Sequence, residues 1–288
     1  MNNREVFVTV DPSAGFCFGV ERAVIMAEDA LDHDHPVYCL GEMVHNDEEL
    51  KRLQRIGLQH VDRKEYNKLS GQTVLFRAHG EPPESYAHAA RHKLNIIDAS
   101  CPIVKKVQQR IKASYEEGAF IMIYGKPDHP EVIGLNGQTG HQALVVESAE
   151  TLNLESIPEE ICLYSQTTQS LQGFHKLVEA LKRAGKKVDV NHTICRHVSN
   201  RFPQVKAFCE QFDKVVFVGG RRSSNAQSLY ETAREVNLNT WFVSSPEEVN
   251  MNWFKPGDRI GITGATSTPP WLLSEVAEKI HQHFSQHH

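Results

Sequence analysis

Val6-Phe7-Val8-Thr9-Val10 leads into Gly15-Phe16-Cys17-Phe18-Gly19-Val20-Glu21-Arg22, so an apolar run of strand length gives way, at a cysteine between glycines, to a helical pattern. The same event occurs twice more. Leu94-Asn95-Ile96-Ile97-Asp98 passes through Ala99-Ser100-Cys101-Pro102 into a helical stretch, and Val188-Asp189-Val190 passes through Asn191-His192-Thr193-Ile194-Cys195 into another. The cysteines recur at intervals of roughly 90 residues, about one small α/β unit each. Three such turns gathered on one axis would put three thiolates together.

Outward from Cys17, the positions Val20, Ala23, Val24, Ala27 and Leu31 keep the rhythm of an amphipathic helix with Cys17 at its N-terminal end. Strands are predicted at Val37 to Leu40, more weakly at Leu58 to Val61, and at Thr73 to Phe76, with a polar helix carrying Leu50 and Leu53 among them. After Cys101, Val104, Val107 and Ile111 form an apolar stripe. Strands follow at Phe120 to Tyr124, Ala143 to Val146 and Ile161 to Tyr164, then a helix through Phe174, Leu177, Val178 and Leu181. After Cys195, Ser199 or Asn200 is the expected cap of a helix carrying Val205, Phe208, Cys209 and Phe212. Strands at Val215 to Val218, Trp241 to Val243 and Arg259 to Ile262 precede a last helix, opened by Pro269 and Pro270 and ending near Phe284.

Each unit therefore reads as cysteine, helix, strand with polar tip, helix, strand, strand with polar tip, helix. The N-terminal strand has no helix before it and the last helix has no strand to feed, so the first strand is expected to complete the third unit and close a ring. The predicted class is α/β with mainly parallel sheets, in three similar units at 14–100, 101–194 and 195–288, the last completed by 1–13. Ligands of such sheets bind at the carboxyl ends of strands, where the polar tips and cysteine turns stand.

The 288 residues are 40% hydrophobic and 23% charged, ordinary globular composition. A net charge of −5 with no basic stripe argues against a nucleic-acid partner. The longest apolar runs are strand-length, far short of the ~20 residues of a membrane helix, and Arg4 and Glu5 precede too few apolar residues for a secretory leader. A cytoplasmic protein away from the membrane is expected, with six cysteines reduced or metal-bound rather than paired.

Cys17, Cys101 and Cys195 lack the paired spacing of a structural zinc site, and a cluster assembled from distant loops stays open to them. Backbone N–H groups at helix starts stabilise the thiolate that binds metal. An iron–sulfur cubane held by three thiolates leaves one iron open as a Lewis acid. Spacing alone does not separate this from zinc, or from buried structural cysteines. Cys39 and Cys162 inside strands, and Cys209 on an apolar helix face, read as core. His45, His79 and His129 stand at strand ends, whereas His88, His92 and His175 fall on helices. The tail of His281, His283, His287 and His288 reads as a frayed end. Thr167, Ser223, Ser224, Asn225 and Ser267 offer neutral donors at helix starts, the equipment for a phosphate or simply for N-capping. Arg221-Arg222 adds charge nearby or is a solvated pair. Glu131, in the Pro-bounded loop of His129-Pro130-Glu131, is the carboxyl that burial beside a metal would keep protonated; its plain alternative is a surface carboxylate.

Taken together, Gly15 to Ala23, Val44-His45-Asn46, Ala78-His79-Gly80, Asp98 to Pro102, His129-Pro130-Glu131-Val132, Gln166-Thr167-Thr168, Thr193-Ile194-Cys195, Ser223-Ser224-Asn225 and Gly264 to Ser267 resemble, in order, the motifs of the 4-hydroxy-3-methylbut-2-enyl diphosphate reductases. The resemblance spans nearly the whole chain. It implies a pseudo-threefold trefoil around a central 4Fe-4S cluster with three cysteine ligands, Cys17, Cys101 and Cys195, and one open iron. It also implies reductive removal of an allylic hydroxyl, giving isopentenyl and dimethylallyl diphosphate in isoprene biosynthesis. By matching position, Glu131 would donate the proton, and His45, His79, His129, Thr167, Ser223, Ser224, Asn225 and Ser267 would bind the diphosphate substrate. A redox partner such as ferredoxin or flavodoxin is implied as well. The chain departs from the family pattern at Arg221-Arg222, at Pro270 and at Phe202-Pro203. An iron–sulfur hydro-lyase acting on a small hydroxy acid would want arginines where neutral donors stand. A cluster-based redox sensor would want a partner-binding domain or basic patch that the sequence does not offer.

Overall fold

The structure is a computed structural model that describes residues 6–33 and 36–285. Arg4, Glu5, His287 and His288, on which expectations above fall, lie outside the described residues. β1 (Phe7–Val10) leads through Cys17 into α1 (Phe18–His33), followed by β2 (Val37–Leu40), α2 (Asp47–Arg55), β3 (Leu58–Val61), the one-turn α3 (Arg63–Tyr66), β4 (Thr73–Phe76), α4 (Pro83–Arg91) and β5 (Asn95–Asp98). Past Cys101 come α5 (Pro102–Glu116), β6 (Ile121–Tyr124), α6 (Pro130–Asn136), β7 (Leu144–Val146), β8 (Glu160–Ser165), α7 (Leu171–Arg183) and β9 (Lys187–Val190). Past Cys195 come α8 (Arg196–Ser199), α9 (Arg201–Cys209), β10 (Lys214–Val218), α10 (Ser224–Val236), β11 (Thr240–Val243), β12 (Arg259–Gly264) and α11 (Pro270–Ser285).

The strands form three four-stranded sheets, β5-β4-β2-β3, β9-β8-β6-β7 and β1-β12-β10-β11, and each strand pair is parallel. The order is the same three times over: the strand that feeds a cysteine lies at the edge, beside the last strand of its unit, then the first, then the second. β1 pairs with β12 from Phe7↔Arg259 to Val10↔Ile262. Central strands such as β6 and β10 are buried on both faces and read as unbroken apolar runs, the pattern of parallel sheets covered by helices.

The chain divides into two compact units. One comprises the described parts of Met1–Glu21, Val44–Arg55 and Asn200–His288, with the sheet of β1; the other comprises those of Arg22–Met43 and Ile56–Ser199, with the other two sheets. Residues 44–55 join the first unit through specific bonds: Trp271 Nε1 donates to the buried Glu49 carboxylate at 2.7 Å, and Arg222 pairs with Asp47 at 2.6 Å. In the second unit, the turn after β4 packs on α6. A Cβ at Gly137 would lie 2.3 Å from that of Pro82, and one at Gly134 would lie 3.1 Å from the Gly80 carbonyl.

Several local readings change. The segment after Cys195 holds α8 and then α9, and Asn200 between them is helical (φ −70°, ψ −21°) with no side-chain cap. The helix that follows Cys195 is interrupted ahead of Phe202-Pro203, as the sequence leads one to expect: α8 stops at Ser199 and α9 restarts at Arg201, with Pro203 in its first turn, where an N–H has no intrahelical acceptor. Glu131 is not in a loop but in the first turn of α6, behind Pro130 at its first position. His281 and His283 belong to α11 rather than to a frayed tail.

The first unit has a charged centre. Arg201, 2% exposed, pairs with Asp11 at 2.6 Å and donates to the Thr263 hydroxyl and the Gly264 carbonyl, while the Thr263 hydroxyl also donates to Asp11. Asp11 directly follows β1, Thr263 and Gly264 end β12, and Arg201 begins α9. One buried ion pair thus fixes three chain ends near Cys17 and Ser267.

Candidate active site

In each sheet the chain reverses its direction of winding between the first and last strands of the unit, and such a point opens a crevice at the strand ends. The candidate residues follow these strands and the cysteine-feeding edge strand. His45 follows β2, His79 β4 and Cys101 β5; His129 and Glu131 follow β6, Thr167 β8 and Cys195 β9; Ser223 to Asn225 follow β10, Ser267 β12 and Cys17 β1. None follows β3, β7 or β11.

The three cysteine turns are built alike. The Cys101 N–H donates to the Ala78 carbonyl (2.9 Å), that of Cys195 to the Thr167 carbonyl (2.8 Å), and that of Cys17 to the Thr266 carbonyl (3.0 Å). In each case the acceptor is the tip of the neighbouring strand, and a helix starts on the next residue. The Cys101 turn is braced by Asp98, whose carboxylate accepts the Ser100 N–H (3.0 Å) and the Tyr86 hydroxyl (2.9 Å) and pairs with Lys105 (2.7 Å). The bonds from Lys105, Ser100 and Tyr86 outweigh burial and hold the Asp98 carboxyl below its usual range.

In the second unit the Glu131 carboxyl and backbone are held by Thr167 and His129. Glu131 is 2% exposed, and its backbone N–H donates to His129 Nδ1 (3.2 Å), which caps α6. Thr167 donates its N–H to Oε1 (2.6 Å) and its hydroxyl to Oε2 (2.9 Å) of Glu131. Burial, opposed by these two bonds, pushes the carboxyl up to about 7. The His79 and His129 rings meet edge to face, 5.4 Å between centroids. Cys195 is close enough to Cys101 and Glu131 for both to raise its thiol, although burial is the larger cause; the N–H groups of His197 and Val198 act in the opposite direction.

In the first unit, Ser223 caps α10 by accepting the Ala226 N–H (3.2 Å), and its hydroxyl lies 3.5 Å from that of Ser267. Asn225 donates from Nδ2 to Thr266 Oγ1 (3.2 Å), and its buried Oδ1 has no partner among the described residues. Ser224 opens α10. His45 is fixed by backbone contact: a Cβ at Gly220 would come within 2.0 Å of the His45 carbonyl oxygen. Arg221 and Arg222, both exposed, pair at the surface with Glu248 and Asp47.

The six cysteines fall into two classes of exposure. Cys39, Cys162 and Cys209 are buried in β2, β8 and α9, and burial pushes Cys39 and Cys209 up to about 12. Cys17, Cys101 and Cys195 are half-buried at strand ends, and none of the six forms a disulfide. This donor set fits a thiolate-held iron–sulfur group.

A family model described as LytB protein matches residues 8–281. The chain belongs to the LytB protein family. A LytB relative from Parabacteroides distasonis, named 4-hydroxy-3-methylbut-2-enyl diphosphate reductase, is 45% identical over 280 residues, covering 95% of this chain and 97% of the relative. One of the same name from Phocaeicola vulgatus is 42% identical over 284 residues, covering 96% and 98%. A solved structure titled (E)-4-hydroxy-3-methyl-but-2-enyl diphosphate reductase, the terminal enzyme of the non-mevalonate pathway, superposes with a TM-score of 0.76 at 35% identity, covering 96% of this chain and all of that one. The Plasmodium falciparum E-1-hydroxy-2-methyl-but-2-enyl-4-diphosphate reductase gives a TM-score of 0.81 at 27% identity, covering 95% and 86%.

Sequence reasoning missed α6, Thr193 and the Arg201–Asp11 pair. Pro130 directly after a polar residue was a usable signal for the helix start. No local pattern marks the Arg201–Asp11 pair, and the Thr193-Ile194-Cys195 motif marks the residue but not its bonds to Ser165.

Proposed function

We propose that this chain is a 4-hydroxy-3-methylbut-2-enyl diphosphate reductase, an iron–sulfur oxidoreductase that converts (E)-4-hydroxy-3-methylbut-2-enyl diphosphate to isopentenyl and dimethylallyl diphosphate. This is the last step of non-mevalonate isoprenoid biosynthesis. The observation that carries the reading is Glu131, a carboxyl 2% exposed and bonded on both oxygens by Thr167, in a LytB chain matched over residues 8–281.

Cys17, Cys101 and Cys195 are the thiols that would hold a 4Fe-4S cluster, with one iron left without a protein ligand. When bound, that group would relay two electrons per turnover, one at a time from an external donor, and would offer a Lewis-acidic position for the leaving oxygen. Glu131 supplies the proton. The Thr167 N–H can only donate, so Oε1 is an acceptor and the proton resides on Oε2, whose hydroxyl neighbour can turn to either role. From Oε2 the proton passes to the departing hydroxyl, which leaves as water, and Thr167 restores the charged carboxylate's bonds. The second proton ends on carbon, and its addition at one or other end of the allyl unit gives the two products. His45, His79, His129, Thr167, Ser223, Ser224, Asn225 and Ser267 bind the substrate, chiefly through the diphosphate oxygens. The three sheets support a division into units 14–100, 101–194 and 195–288 with 1–13.

No helix of the described residues is long and apolar enough to cross a membrane. A cytoplasmic location and electron delivery by a small carrier such as ferredoxin or flavodoxin complete the proposal. Anaerobically reconstituted protein supplied with reduced methyl viologen is expected to convert the diphosphate substrate to both products. A fully reconstituted preparation that leaves the substrate intact would overturn the assignment.

A further inference from the structure

The tip of β8 is the hub of the second unit's site, because Thr167 holds Glu131 through its N–H and hydroxyl and holds Cys195 through its carbonyl. What fixes that tip differs from what fixes its counterpart at the end of β4. There the rungs are backbone bonds: Ala99 N–H to Phe76 carbonyl (2.8 Å), then Cys101 N–H to Ala78 carbonyl (2.9 Å). Beside β8 the backbone ladder runs to Asn191 N–H on the Leu163 carbonyl (2.9 Å) and resumes at Cys195 N–H on the Thr167 carbonyl (2.8 Å). Between them, at the place of the Ala99–Phe76 rung, the Thr193 hydroxyl accepts the Ser165 N–H (2.8 Å) and donates to the Ser165 carbonyl (2.8 Å). A side chain here does the work of a backbone rung, and does it with both groups of a fully buried residue.

We propose that Thr193 is a positioning residue, whose hydroxyl sets where Thr167 stands between the Glu131 carboxyl and the Cys195 turn. Two consequences follow from the chemistry. Removing the hydroxyl leaves a buried N–H and carbonyl unpaired, and the tip relaxes to recover partners. Displacing the tip lengthens the two bonds to Glu131, which moves the proton donor without touching any group that binds the diphosphate other than Thr167. A displacement near 1 Å at a reacting group lowers turnover by up to about a hundredfold.

The activity arm rests on the reductase reading; the structural arm does not. Reconstituted wild type, Thr193→Val and Thr193→Ser are compared for kcat, KM, the pH dependence of kcat and amide hydrogen exchange. For Thr193→Val, kcat is expected to fall roughly tenfold to a hundredfold with KM within about threefold. The limb of the pH profile set by Glu131 should move to higher pH, and exchange should rise in peptides covering 165–168 and 193–198 but not in β10 to β12. Thr193→Ser keeps the hydroxyl and should match wild type within about threefold. Wild-type kcat in Thr193→Val, a fall in kcat with an unmoved pH limb and unchanged exchange, or a loss in Thr193→Ser as large as in Thr193→Val each overturns the proposal. If Thr193→Val does not fold, Thr193→Ser decides: retained kcat and exchange support the hydroxyl's role, and their loss refutes it. If wild type itself fails to turn over, the reductase reading falls, while exchange at 165–168 still tests Thr193.

Discussion

Glu131 receives both its hydrogen bonds from one residue, Thr167, whose N–H meets Oε1 at 2.6 Å and whose hydroxyl meets Oε2 at 2.9 Å. A buried carboxyl so held keeps its geometry whether charged or neutral, which is what a proton donor needs. Glu131→Gln preserves the shape and removes the proton. Turnover should fall by about two to four orders of magnitude while the visible absorbance of the reconstituted protein is unchanged. Near-normal turnover would assign the proton to another group.

The same carboxyl couples stability to pH. Its folded value is raised from 4.5 to about 7, so between those limits the folded state holds a proton that the unfolded chain has released. The contribution is fully present below pH 4.5, declines as pH rises and is lost above about pH 7, a change of roughly 3 kcal/mol. Denaturant titrations from pH 4.5 to 7.5 should show this decline in wild type and a flatter curve in Glu131→Gln. Equal slopes would refute it.

Cys101→Ser should abolish the brown charge-transfer absorbance of reconstituted protein, whereas Cys162→Ser should leave it, since the Cys162 thiol is buried in β8 between Asp189 and Asn191. An unchanged spectrum in Cys101→Ser would remove that thiol from the ligand set.

Asp11→Asn leaves the Arg201 guanidinium buried without its counter-charge, at a cost of roughly 3–5 kcal/mol, enough to lower the melting temperature by several degrees. Replacing both residues with apolar ones of similar volume should recover most of the loss. A single substitution that leaves the melting temperature unchanged would show that the pair is not needed.

Gly220→Ala drives a Cβ to within 2.0 Å of the His45 carbonyl, a contact that backbone must relieve. Substrate affinity should weaken through displacement of His45, read as a rise in KM at little change in kcat. Unaltered KM would mean that this turn yields elsewhere.

Much of the fold was legible because parallel strands announce themselves as apolar runs and because each cysteine marks an edge strand giving way to a helix. Val37 to Leu40, Thr73 to Phe76 and Val215 to Val218 fall where expected. The burial of Cys39, Cys162 and Cys209 was likewise legible from their positions on apolar elements. Glu131 was legible as a candidate but not as a buried helix-start residue, because its burial depends on β8, which is distant in sequence.

The sequence by itself determined the α/β class, the three cysteine turns and the family, since these depend on periodicity and on motifs a few residues long. Only the tertiary structure decided that Glu131 is buried against Thr167, that the Thr193 hydroxyl completes a ladder and that Arg201 is closed off with Asp11. Those properties arise from contacts between segments far apart in the chain, where desolvation and hydrogen bonding act on atoms that no local pattern brings together.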